Sequence, residues 1–316
     1  MTLRWHVFLI GLTLSLLSWL AQAQAPGVRV AIVSSQTSAP YMDAAQALIR
    51  QLESQGVPRS SIQLYNPADL ANMPEASLTT PKVWVALGTQ ASAAMGKSSL
   101  KAPVLSALVP RSGFERVLRE TGRKLSPQFN AVYLDQPLQR QMALIRLALP
   151  RARHVGVLLG PDSWFRASAL LAAAGANGLA LRVARVEDDS VLFSALQSVL
   201  EDSSVLLAQA DPLVFNGNSI QNILLTTIRA NVPMVAFSPA YVRAGALLAL
   251  YSTPVQAGTQ AAHWVLEVLA MRSLPEQAVE PDDFEISVNE QVARVFGLSL
   301  DAPSLRLALK RQEQRP

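Results

Sequence analysis

The chain has 316 residues, half of them apolar and 16% charged, with a formal net charge of +4. That length and apolar content suit two domains with sizeable cores and exclude a disordered chain, and so small a charge gives no support to nucleic-acid binding. There is no cysteine, which excludes structural disulfides, Cys-zinc sites and thiol catalysis.

The chain opens "MTLRWHVFLIGLTLSLLSWLAQAQAPG". Arg4 supplies a basic start, 7–20 is an apolar stretch too short for a membrane span, and small residues follow at 21–25. This is the pattern of a cleaved secretory signal, residues 1–23, with the cut expected after Ala23. An uncleaved anchor is the alternative. With no cysteine to take a lipid, the mature chain is expected to be free in the periplasm.

From residue 28 onward, short β-branched runs alternate with helix-length segments. "VRVAIVS" (28–34) reads as a strand and "YMDAAQALIRQLESQG" (41–56) as a helix ending at a glycine. "SIQLYN", "KVWVALG" (82–88), "APVLSALV" (102–109) and "NAVYLD" (130–135) read as strands, with a short helix "TQASAAMGK" among them. "QPLQRQMALIRLALP" is an amphipathic helix stopped by Pro150. The pattern then restarts. Strands are expected at 154–160, "LALRVARV", 203–210, 233–238, 246–252 and 284–289, and helices at 164–174, 190–200, 213–230 and 255–271. The last residues carry Arg306, Lys310, Arg311 and Arg315 against Glu313 and are expected as a solvated basic tail.

The strands are apolar on both faces, as in a parallel sheet covered by helices. Two successive series of this kind predict an α/β protein of two doubly wound parallel-sheet domains. Ligands of open α/β sheets sit beyond the C-terminal ends of the strands. In the first series those ends are "SSQTSAPY" (34–41), with Ser35, Gln36 and Tyr41, then "GTQAS" (88–92), with Gly88, Thr89 and Gln90, and "VPRSGF" (109–114), with Arg111. In the second they are "GPDSWF" (160–165), with Asp162, Ser163 and Trp164, then "ADPLVF" (210–215), with Asp211, and "SPAY" (238–241), with Ser238. A cleft between two such domains is a natural ligand trap.

Each candidate has a plainer reading beside it. Asp211 is either a ligand carboxylate or the cap of the next helix. Trp164 is either an aromatic wall of the cleft or a hydrophobic entry to the next helix. Arg111 either holds a ligand carboxylate bidentately or is solvated at a hinge. "ASAAMGKS" (91–98) matches a relaxed phosphate loop, but Pro103 arrives too soon for the long helix such a loop requires. The acidic pairs Asp188–Asp189 and Asp282–Asp283 read as caps and turns. Three histidines without metal-ligand spacing and no G-x-S-x-G leave no expected metal, cofactor or enzymatic centre.

"NAVYLDQPLQRQMALIRLALPRARHVGVLLGPDS", "VPMVAFSPAYVRAGALLALYSTPVQAGTQAAHWVLEVL" and "FEISVNEQVARVFGLSL" together resemble one family. It is the ABC-transporter substrate-binding proteins related to tryptophan/tyrosine binders, with the type I periplasmic binding protein fold. The resemblance runs from about residue 28 to 301 and is weaker before residue 80. It implies a hinge-bending monomer that binds a small molecule (an amino acid, another small carboxylate or a nucleobase-like compound) and delivers it to an ABC permease. It implies a first domain of 26–134 plus about 254–275, a second of 135–253 plus about 276–300, and a tail at 301–316. The family's "A-T-P-A-A-Q" turn falls on Gly88, Thr89, Gln90, Ala91 and Ser92, and the Asp of its "T-D-N" on Asp211. Its "T-D-P" falls on Val109, Pro110 and Arg111, exchanging an acid for a base, and a further Asp is replaced near Ser238 and Pro239. A free amino acid is therefore not the safe expectation; a more anionic ligand fits Arg111 at least as well. A sensor or accessory subunit built on the same trap is the alternative role.

Overall fold

Val30–Ser34 and Val83–Leu87 are buried at every position, as strands covered on both sides must be. The protein is described by a computed structural model over residues 27–314, so the expected signal and its cut lie outside the described residues. Among these described residues eleven strands form two sheets. The first has the order β2-β1-β3-β4-β5, built from β1 (Val30–Ser34), β2 (Ile62–Tyr65), β3 (Val83–Leu87), β4 (Val104–Val109) and β5 (Phe129–Tyr133), all parallel. The second has the order β11-β10-β9-β8-β6-β7. It comprises β6 (His154–Leu159), β7 (Ala180–Arg185), β8 (Val205–Leu207), β9 (Met234–Ala236), β10 (Leu248–Tyr251) and β11 (Glu285–Val288), with β11 antiparallel to β10. Helices cover both faces of each sheet, giving two apolar clusters per sheet. Two doubly wound α/β domains result.

The chain passes between the domains three times. β5 runs into the helix Leu138–Ala148 of the second domain. β10 runs back into the helix Pro254–Leu269, which packs on the helix Ala39–Ser54 of the first. Val279 then pairs with Val132 beside β5 before the chain returns to β11. One polar cluster ties these crossings. Gln136 donates to Ser252 Oγ at 2.7 Å and accepts from Arg140 at 2.7 Å. Arg140 also donates to the Pro281 carbonyl at 3.0 Å, pairs with Glu313 and lies over the ring of the fully buried Phe284.

Several elements differ from the sequence expectation. The terminal segment is no basic tail. Asp301 caps a helix, Ala302–Glu313, whose Leu305 and Leu309 are buried in the second core while Arg306 and Lys310 reach Asp283. Four-residue spacing of the leucines, not net charge, decides its fate. Asp283 is accordingly an ion-pair partner as well as a turn residue. The helix expected at 213–230 begins only at Ile220. Asn216 accepts from the N–H groups of Asn218 and Ser219, and such local bonds compete with helix. The strand at 203–210 shrinks to β8, and residues 111–121 form a helix not anticipated after "VPRSGF".

The contact between helices Pro254–Leu269 and Ala39–Ser54 is close enough that a Cβ on Gly258 would lie 2.1 Å from the Ala44 carbonyl oxygen. Gly258→Ala should therefore cost about 1–3 kcal/mol of stability by overpacking; an unchanged denaturation midpoint would mean the helices do not meet there. Burial pulls the Asp283 carboxyl up, but hydrogen bonds from Lys310, the Phe284 N–H and Gln256 outweigh it and hold it below the usual range. A depressed folded value stabilises above the unfolded carboxylate value, about 3.9, and the gain is lost as pH falls through the folded one. The melting temperature of Asp283→Asn should thus trail the wild type at neutral pH, with the gap closing in acid. A gap that persists at low pH would contradict this role.

Candidate functional site

The strand ends of the two sheets face each other across a cavity of about 590 Å³. The first domain supplies Pro40, Tyr41, Thr89, Leu108 and Pro110; the second supplies 207–210, 235–240 and Arg243; Leu134–Gln136 with Tyr251, Ser252 and Pro254 of the crossings complete the wall. The volume lies within the usual range for small-molecule sites, about 300–1,000 Å³. The wall is chiefly apolar, with Leu108, Leu134, Leu207, Val235, Phe237 and Leu250 in it. Phe237 stands edge-on to Tyr241, 5.1 Å between centroids, which fixes its ring.

Local backbone explains the first-domain side. Gly88 has φ +88°, and a Cβ there would lie 2.6 Å from the Tyr41 ring and 2.8 Å from Ser35 Oγ, so only glycine lets Tyr41 pack against this turn. Ser35 donates to the Leu87 carbonyl and accepts from the Ala91 N–H, clasping the start of the helix Thr89–Lys97. Thr89 is the first residue of that helix and lies in the wall. Burial lifts the Tyr41 hydroxyl above its ordinary range, keeping it protonated.

Of the twelve residues proposed from sequence, Tyr41, Thr89 and Ser238 line the cavity. Ser238 also caps the helix Pro239–Ala244. Ser35 and Gly88 shape the turn beside it, and Gln36 and Gln90 are exposed outside the wall. The charged candidates have partners elsewhere. Asp211 is 2% exposed; it accepts from Ser163 Oγ at 2.7 Å and from the Leu213 N–H at 3.0 Å. It also packs against Gly160, where a Cβ would meet its Oδ1 at 2.5 Å. Asp211 thus holds the turn at 212–214 with Ser163 as its partner and does not cap the next helix, whose N-cap is Ser219.

Asp162 accepts from Arg116 at 2.8 Å and Arg119 at 2.7 Å, both on the first-domain helix Arg111–Thr121. Beside it, Asp135 accepts from the Arg111 N–H at 2.6 Å and pairs with the second-domain Arg166. The Arg111 guanidinium lies between the rings of Tyr133 and Phe165, 5.6 and 5.4 Å away. Trp164 is partly exposed under Arg185. Arg111 and Asp162 therefore join the domains at the flank of the cavity instead of lining it.

Sequence reading missed Gln209, Gln136, Gln141 and Arg243, all in the wall. Gln209 had a signal: it is a polar residue inside the buried run "VLLAQA". The strand end starts one residue before the Ala210 expected from sequence. Arg243 is exposed and has no ion pair among the described residues, which makes it, rather than Arg111, the basic group at the cavity rim. Among the described residues no three His, Asp or Glu side chains gather as a metal site.

A family profile described as "ABC transporter substrate binding protein" matches residues 63–308. No curated protein matches the chain significantly. Among solved structures, the ligand-free, open form of a substrate-binding protein with adhesive properties from Clostridium difficile has a TM-score of 0.66 at 16% identity, covering 87% of this chain and 96% of that one. An ABC domain from Streptococcus pneumonia in complex with L-Trp has a TM-score of 0.59 at 15% identity, covering 88% and 97%. A conserved domain protein from Vibrio cholerae has a TM-score of 0.59 at 19% identity, covering 88% and 97%. At these identities the likeness carries the fold, which is the type I periplasmic binding protein architecture.

The ion pairs of Asp162 cross between the domains and are partly solvated, so each is worth about 0.2–1 kcal/mol. Asp162→Asn should shift the ligand-free protein toward an open form, with a larger radius of gyration by small-angle scattering. Salt should open the wild type more than the variant. Equal radii for both proteins at every salt concentration would show that these pairs do not hold the domains together.

Proposed function

Because the chain belongs to the ABC transporter substrate-binding protein family, we propose that it is exported to the periplasm, captures a small solute between its domains and hands it to an ABC importer in the inner membrane. The observation that carries this reading is the cavity itself, walled by both domains and by the crossings that join them. A solute touching both walls binds the closed arrangement better than the open one, and that difference drives closure. No chemistry on the solute is required; recognition and release are the whole task.

The wall favours a ligand with a substantial apolar body, and the L-Trp complex of the streptococcal relative supports a solute of that size. Arg243 at the rim offers an anionic substituent a partner, and Tyr41, Thr89 and Ser238 add neutral hydrogen-bonding groups.

Thermal-shift screening with amino acids, small carboxylates and nucleobase-like compounds tests the reading. A true ligand at a hundred times its Kd should stabilise the protein by about 2.7 kcal/mol. Ala240→Trp, at an exposed position of the wall, should cut affinity for that hit at least about tenfold by filling the cavity. A screen with no stabilising compound, or a hit that binds Ala240→Trp as well as the wild type, would sink the proposal.

A further inference from the structure

Two carboxylate or guanidinium side chains stand in the cavity wall, Asp135 and Arg243. Asp135 is committed. Its Oδ2 accepts from the Arg111 N–H at 2.6 Å, its Oδ1 pairs with Arg166, and both side chains of that pair are nearly sealed. A second cation brought there would compete with Arg166 for a charge already cancelled. Arg243 differs. It is exposed on the helix Pro239–Ala244 and has no ion-pair partner among the described residues. The wall thus carries one uncompensated charge, and that charge is positive. Its amides offer no substitute for a carboxylate. Gln136 and Gln141 spend their amide oxygens on Arg140 and Gln209, at 2.7 and 2.8 Å, and the Gln209 oxygen is sealed from water.

We infer that Arg243 makes the cavity selective for apolar monocarboxylates over the amino acids built on the same body. This rests on the cavity being the ligand site. The wall residues Leu207, Val235 and Leu250 are buried whereas Arg243 is exposed, so a solute of this class lies with its apolar body inward and its anion at the rim. There the guanidinium fork gives a carboxylate charge-assisted hydrogen bonds. An α-ammonium added to the same solute reverses the balance. It loses water without meeting a free carboxylate, and it stands one carbon from the carboxylate, where the Arg243 charge repels it. The apolar body gains nothing from the addition, so the amino acid is the weaker ligand.

Indole-3-propionate, its methyl ester, L-tryptophan (the same acid with an α-ammonium) and tryptamine share one apolar body and differ in charge. Their affinities are measured by calorimetry on the wild type, Arg243→Gln and Arg243→Lys. In the wild type indole-3-propionate should bind at least about fivefold more tightly than its ester and than L-tryptophan, the worth of one partly solvated ion pair, with tryptamine weakest. Arg243→Gln should erase the lead of the acid over its ester, leaving the ester's affinity and the ligand-free melting temperature unchanged. Arg243→Lys, which keeps the charge without the fork, should retain part of that lead. L-tryptophan or tryptamine binding as tightly as indole-3-propionate, or a lead that survives Arg243→Gln, overturns the inference. So does a failure of all four to bind the wild type. The trap is judged separately: any probe or library hit whose binding is lost in Ala240→Trp keeps the cavity as the ligand site even where the charge preference fails.

Discussion

Three segments of chain pass between the two domains, and the side chain of Gln136 binds them into one joint. It sits on the first crossing, bonds Ser252 on the second and, through Arg140, reaches Pro281 on the third. A buried amide at such a place is held from both ends, so the crossings keep a common register while the sheets on either side are free to differ in tilt. The same residue begins the polar wall of the cavity, because its backbone carbonyl orients Gln141 and then Gln209. One residue thus joins the crossings and lines the cavity.

Next to that joint is the ionic seam at the flank, where Asp162 meets Arg116 and Arg119 and Asp135 meets Arg166. Its two halves differ in character. The Asp135–Arg166 pair is nearly sealed, with side chains 7% and 4% exposed, so separating it would strand charges. The Asp162 pairs are wetter and cheaper to break.

The sheets were legible in the sequence because parallel strands buried on both faces read as unbroken apolar runs, as in "VWVAL" and "VAIVS". Fold class followed from them, whereas the family came from the resemblance of three longer segments. The helix Arg111–Thr121 was not legible: its charged exterior and the proline before it resemble a loop, although Phe114 and Val117 mark a buried face. The site was legible only in outline. Strand ends pointed to Tyr41, Thr89 and Ser238, but Asp162 and Asp211 drew attention because charge at a strand end looks functional, and their partners lie on other elements. Gln136 and Ser252 are 116 residues apart, a pairing that no local pattern contains.

The helix Pro254–Leu269 covers a face of the first sheet and packs against the helix Ala39–Ser54, with Gly258 under Ala44. More than two hundred residues separate these partners, so a chain emerging from the ribosome completes all five parallel strands of the second domain before the first can close its core. Such long-range closure is slow. The order of synthesis and the order of folding are therefore out of step.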